Sequence, residues 1–210
     1  GQYGTTVKGA EQMGPVRFAY EGLDMPVLFT SNGVIHLQRK LDKISHAEEE
    51  RLEKQGLPEE EIEKRRKVTD RLITIRWMNA NPEVQVIADE MNSAYHTYGM
   101  LTGKAHSYRR ITYKNLYPGI DAIYTLDNSK QGYEYSLEVQ PGADLRQVTL
   151  LFGGDVKTLT TDQQGNLLVQ SDISSIRSTI PVSYYGEYQA DKPAPAFASV
   201  YKTSGKQVQF

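Results

Sequence analysis

The sequence predicts a mainly β protein, with antiparallel, sandwich-like sheets and one charged helical insert. Three observations carry this. Apolar and polar residues alternate with period two over many short stretches, the signature of half-buried strands. Turn-forming Gly, Pro, Asn and Asp recur at about the 8–12-residue spacing of sandwiches and barrels. One segment, 45–67, breaks the alternation, with 14 charged residues out of 23.

At 210 residues the chain has room for one large β domain or two small ones. A boundary near residue 103 would divide an N-terminal β subdomain (1–102, holding the insert 46–67) from a C-terminal antiparallel subdomain (103–210). The other reading is one domain throughout. With no cysteine, disulfide staples, thiol nucleophiles and thiolate metal sites are excluded. The 24 basic and 26 acidic residues leave a net charge of −2, so there is no global excess of cations for nucleic acid. No apolar run reaches the ~18 residues of a membrane-spanning helix. The opening Gly1-Gln2-Tyr3 lacks a methionine and no signal peptide is visible, which leads us to expect a chain whose leader has been removed.

In order along the chain, Val16–Tyr20 alternates as a strand. Val27–Thr30 and Val34–Gln38 flank Ser31-Asn32-Gly33, a hairpin signal. In the insert, Ser45 and Glu48 form a capping box. Gly56 stops a first helix and Pro58 opens a second, with Glu59, Glu60 and Glu61 in its first turn. Its large apolar residues are Leu52, Leu57 and Ile62, too few for a core-facing stripe, so it is expected to be a solvated excursion. Strands return at Leu72–Met78 and Val84–Ala88, joined by the turn Asn79-Ala80-Asn81-Pro82. Residues 92–108 carry no clear period. Beyond them the expected strands are Ala122–Thr125, Tyr133–Val139, Val148–Phe152, Thr158–Thr161, Leu167–Gln170, Ser175–Thr179, Val182–Tyr188 and Ala196–Lys202.

The run Arg110–Tyr124 contains Tyr113, Tyr117-Pro118-Gly119-Ile120-Asp121 and Tyr124. Tyr133-Glu134-Tyr135, Gln140-Pro141-Gly142-Ala143-Asp144, Gly153-Gly154, Asp162–Leu167 and Ile180–Tyr184 follow at fitting distances. In this order the pieces resemble the uncharacterised N-terminal β-domain of large secreted bacterial surface proteins, which often precedes β-propeller-type repeats and a gliding-motility sorting domain. The resemblance covers most of the chain apart from the insert. It implies export and a multidomain parent at the cell surface, and it carries no catalytic residues. Two features depart from it: His96-Thr97-Tyr98-Gly99 only approximates an expected aromatic element, and Gln207–Phe210 reads as mid-strand.

No catalytic constellation is legible. The histidines His36, His46, His96 and His106 show no metal-ligand spacing. No serine sits in a G-x-S-x-G elbow. Glu134 and Glu138 lie four apart on one strand face, roughly 13 Å at ~3.3 Å per residue, beyond the ~5–9.5 Å of glycosidase pairs. Asp121 after its Pro-Gly turn either holds a cation or sugar hydroxyl, or locks the turn by accepting backbone N–H groups. The 14 tyrosines either line exposed sheet or form a stacking platform; packed inward, they would be core. Binding candidates are Tyr184, Tyr185 and Tyr188 near the end of the chain, with Tyr117 and Asp121; no catalytic residue, metal or cofactor is expected.

These readings lead to a non-catalytic, extracytoplasmic structural or interaction module, secreted or at the cell surface. Its partners would be neighbouring modules of a parent protein, or a surface glycan or protein, with no nucleic acid and no membrane span. One alternative is a carbohydrate-binding module using exposed tyrosines. A second is a glycan-active hydrolase of unrecognised mechanism.

Overall fold

The computed structural model describes residues 6–20, 26–96, 105–126, 132–186 and 196–210. Among the described residues strand far outweighs helix, so the protein is mainly β. In chain order the strands are β1 (Val16–Tyr20), β2 (Val27–Thr30), β3 (Gly33–Leu41), β4 (Val68–Trp77), β5 (Gln85–His96), β6 (Ala105–Tyr117), β7 (Ile120–Leu126) and β8 (Tyr133–Val139). They continue with β9 (Leu150–Gly154), β10 (Thr158–Thr161), β11 (Leu167–Gln170), β12 (Ser175–Ser178), β13 (Val182–Tyr184), β14 (Ala196–Ala198), β15 (Lys202–Ser204) and β16 (Gln207–Gln209). Two helices, α1 (His46–Lys54) and α2 (Glu59–Glu63), stand between β3 and β4.

The strands form four sheets. The largest runs β1-β2-β3-β4-β9-β16-β15 and faces a second of order β5-β6-β7-β8. A three-stranded sheet, β10-β11-β12, and a two-stranded ribbon, β13-β14, complete the fold. Among the described residues every strand pairing is antiparallel. The expected division near residue 103 is not a core boundary: β9, β15 and β16 complete the sheet begun by β1–β4, and one core draws on residues from Tyr20 to Val208.

Strand alternation explains the two layers. On β2, β3 and β4 the residues Val27, Phe29, Val34, Ile73 and Trp77 point to the facing sheet, where Ile111, Tyr113, Ala122 and Tyr124 meet them. The opposite face of β3 carries Ile35, which Ala10 and Met13 of the N-terminal segment cover as a second, smaller core. The β2–β3 hairpin turns through Ser31-Asn32, closed by Thr30 opposite Gly33. Gly33 has φ 149° and passes so close to β4 that a Cβ there would lie 2.1 Å from the Ile75 carbonyl oxygen; no other residue fits.

The insert forms as its sequence suggests. The Ser45 hydroxyl accepts from the Glu48 amide as the N-cap of α1. Leu52 and Ile62 are buried but belong to neither of the two cores. Its base is closed by the Asp42 amide donating to the Lys67 carbonyl, just beyond the last β3–β4 pair, Leu41 opposite Val68.

Candidate interaction surface

Among the described residues most tyrosines turn inward. Tyr113, Tyr117 and Tyr124 are buried, and Tyr133 and Tyr135 pack against the same core. Exposed sheet is therefore the wrong description of Tyr113, Tyr117 and Tyr124. A buried tyrosine must find a partner for its hydroxyl, and here the opposite sheet supplies one. The Tyr113 hydroxyl lies 2.8 Å from the Thr30 carbonyl and 2.9 Å from that of Gly33, across the sandwich at the β2–β3 turn. The Tyr117 hydroxyl donates to the Met78 carbonyl at 2.7 Å, where β4 leaves the large sheet. Burial raises the Tyr113 phenol above its ordinary range and pushes Tyr117 up to about 12, so both stay protonated donors.

The rest of the signature completes this joint. Ile120 packs inward. Asp121 accepts the Asn115 amide at 2.6 Å and pairs with Lys114. Asn115 has φ 54°, within the irregular stretch where the β6–β7 register shifts. The Asn81 amide donates to the Leu116 carbonyl, and the Asn81 side-chain Nδ2 to that of Asn115. The Tyr-Pro-Gly-Ile-Asp run and the Asn79–Pro82 turn therefore form one corner that fixes one sheet on the other.

Phe29, Tyr113, Tyr124, Tyr133, Tyr135, Trp77 and His36 form a connected aromatic array between the sheets. His36 is its basic member. Its ring lies against Tyr133 at 5.6 Å and 29°, and its Nε2 is 2.9 Å from the Tyr133 hydroxyl. Burial lowers its pKa from 6.5 to about 4, so the ring is neutral at pH 7.

The sequence's other candidates separate. Tyr117, sealed in the corner, presents no surface. Tyr184 is half-buried, and Tyr188 lies outside the described residues. Tyr98 also lies outside them. Tyr185 is 81% exposed, with its ring edge-on to Phe197 at 4.8 Å and 78°. Ile180, Val182 (65% exposed) and Val200, in the same stretch of chain, are exposed as well, with Val182 on the opposite face of the ribbon from Phe197. Among the described residues half of the exposed large apolar side chains thus fall within 180–200. The β13–β14 ribbon they decorate is held at its base: the Tyr201 hydroxyl lies 2.9 Å from both the Ser178 hydroxyl and the Thr179 carbonyl. The Ser183 and Ser199 hydroxyls bridge its two strands at 2.5 Å. Tyr185 was legible as a candidate from its place near the chain's end. Phe197 and Val200 were not, because an isolated apolar residue in a short strand carries no sign of exposure.

Elsewhere, an open cleft of about 280 Å³ between β1 and β5 is lined by Arg17, Phe18, Val84, Gln85 and Val86, with no carboxylate. Glu134 and Glu138 are exposed on the outer face of β8. Among the described residues no group of three or more His, Asp or Glu comes together as a metal site, and no helix is long and apolar enough to cross a membrane.

These features define a mainly antiparallel β-sandwich whose prominent sequence motif is an inter-sheet joint. The chain belongs to the family described as a domain of unknown function (DUF7948), which matches residues 6–210. No curated protein and no solved structure matches it.

Proposed function

We propose that this protein is a non-catalytic structural and interaction module, displayed outside the cytoplasm in a secreted or cell-surface parent, which works by contact. The observation that carries this reading is the exposed aromatic pair of Tyr185 and Phe197 on a two-stranded ribbon anchored by Tyr201, with Ile180, Val182 and Val200 also exposed in the same stretch of chain. Clustered apolar exposure on a folded surface marks an interaction site. The aromatic pair is edge-on, which favours contact with a protein surface over the flat stacking of a sugar ring. The signature tyrosines and Asp121 are engaged in holding the two sheets together, which supports a structural role for the motif. The extracytoplasmic setting rests on the resemblance of the motif order to domains of secreted surface proteins.

The test is a screen of the purified chain against polysaccharide and ester hydrolysis panels and a glycan array, repeated with Asp121→Ala, Glu134→Ala and Glu138→Ala. The expected result is no turnover and no glycan retained. Turnover that disappears in one of these variants would overturn the reading in favour of a hydrolase, and glycan retention abolished by Tyr185→Ser would overturn it in favour of a carbohydrate-binding module.

A further inference from the structure

Asn32, at the tip of the β2–β3 hairpin, is the only asparagine in the chain that is followed by glycine. Such a pair carries its own chemistry. The glycine nitrogen can attack the asparagine Cγ, because no Cβ on the glycine stands in the way. The amide proton passes to solvent base, the new N–Cγ bond closes a succinimide ring, and the side-chain nitrogen leaves as ammonia. Water then opens the ring at either carbonyl. One opening gives aspartate. The other gives isoaspartate, whose main chain runs through the former side chain and is longer by a carbon.

The attack requires the backbone of residue 32 to turn until the Gly33 nitrogen faces Cγ. In the folded protein that turn is blocked from several directions. The Asn32 amide donates to the Met13 carbonyl at 3.1 Å, and the Asn32 carbonyl accepts from the Trp77 amide at 3.1 Å. These two bonds hold the peptide planes before and after its Cα. The side-chain Nδ2 donates to the Gln12 carbonyl at 3.0 Å. On the far side, the Gly33 carbonyl lies 2.9 Å from the Tyr113 hydroxyl, and the Gly33 backbone lies against the Ile75 carbonyl. The Asn32 side chain is exposed, so water and base reach it; geometry, not access, withholds the reaction. The clamp is drawn from the N-terminal segment, the end of β4 and β6, so it exists only when the sandwich is assembled.

We propose that Asn32 is a modification site that the fold keeps closed. Deamidation there proceeds in the unfolded chain and turns reversible unfolding into irreversible loss. Either product sets a carboxylate where Nδ2 donated, so an anion faces the Gln12 carbonyl. The isoaspartyl form also displaces Gly33 from a place beside β4 that has no room even for a Cβ. The time that the chain spends unfolded is thereby recorded at one residue.

The experiment keeps the full chain at mildly alkaline pH, folded in buffer or unfolded in guanidinium chloride, and follows each asparagine over days by peptide mass spectrometry. The expected result is deamidation at Asn32 in the unfolded sample and a rate at least about tenfold lower in the folded one, where reaction must wait for a local opening. After dilution into buffer, the fraction that regains the native near-ultraviolet circular dichroism should fall in step with the fraction modified. Asn32→Gln, whose longer side chain must close a larger and slower ring, should regain it after the same treatment. Asn32→Ser serves the same purpose where the longer amide is not accommodated beside Gly14. Equal rates at Asn32 in the two samples would overturn the proposal. So would an unfolded chain in which Asn32 survives while other asparagines react, a modified chain that refolds as fully as the unmodified one, or substituted chains that lose refolding as the parent does.

Discussion

Acid should loosen this sandwich at His36 before it reaches the aspartates that are held low by their partners. The ring lies between the sheets, against Tyr133, in an array of phenols and apolar side chains. Its pKa is about 4 when folded against 6.5 when free. In the window between those values the unfolded chain binds a proton that the folded chain refuses, so stability falls as pH falls. The contribution is fully present above pH 6.5, declines through the window and is exhausted near pH 4. A difference of about 2.5 units at ~1.4 kcal/mol per unit gives a loss of about 3 kcal/mol, a large part of a domain's stability. The aspartates held low by their partners, Asp70 by Arg39, Asp172 by Arg71, Asp144 by Arg146 and Asp162 by Asn166, lose those partners only below their ordinary value of 3.8, and Glu11, held low by the Gly9 amide, only below 4.5, so they act at the foot of the His36 window. The assay is urea unfolding at a series of pH values across the window, for the parent and for His36→Gln. The parent's unfolding free energy should fall steeply, and that of the variant should stay nearly flat. The starting stability of the variant at neutral pH is immaterial, because the slope carries the information. Parallel slopes for the two proteins would refute the reasoning and move the acid-sensitive group elsewhere.

Three further outcomes follow from the joint and the insert. Tyr113→Phe removes a hydroxyl shared between the Thr30 and Gly33 carbonyls and should lower stability by about 1–2 kcal/mol in chemical denaturation, with Tyr117→Phe costing about 1 kcal/mol. Asp121→Ala strips the Asn115 amide of its acceptor and should lower stability by about 0.5–2 kcal/mol; an unchanged melting temperature would show that the turn stands without it. Replacing residues 43–66 by a short Gly/Ser loop should leave a single cooperative unfolding transition, since Leu52 and Ile62 belong to neither core; a broadened or lost transition would show that the sandwich needs them.

Several strands were legible to the residue. Val16–Tyr20, Val27–Thr30, Tyr133–Val139, Thr158–Thr161 and Leu167–Gln170 form where alternation and turn chemistry predict them. Others run longer or shorter. β3 and β4 extend through Leu41 and from Val68, because each ladders the other out to the base of the insert. β5 and β6 reach into the stretch 92–108 that showed no period, to His96 and from Ala105, with a register irregularity between Met91 and Tyr95 that interrupts any alternation. The expected strand Ala196–Lys202 divides into β14 and β15, which join different sheets.

Local chemistry was enough for the sequence to determine the β class, the capped helices of the insert and the Asp121 turn. Period-two alternation, an N-cap and an Asx carboxylate act over a few residues, so the chain states them directly. The tertiary structure decided which face of each strand is inside. Alternation places Tyr133 and Tyr135 on one side and Glu134 on the other, but only the facing sheet makes the tyrosine side a core. It also decided that Tyr113 and Tyr117 find their acceptors in Thr30, Gly33 and Met78, up to 83 residues away in sequence. The exposure of Tyr185 beside Phe197 is of the same kind. Whether an aromatic ring is core or contact depends on what the rest of the chain lays over it, and that is settled by long-range packing which no local pattern encodes.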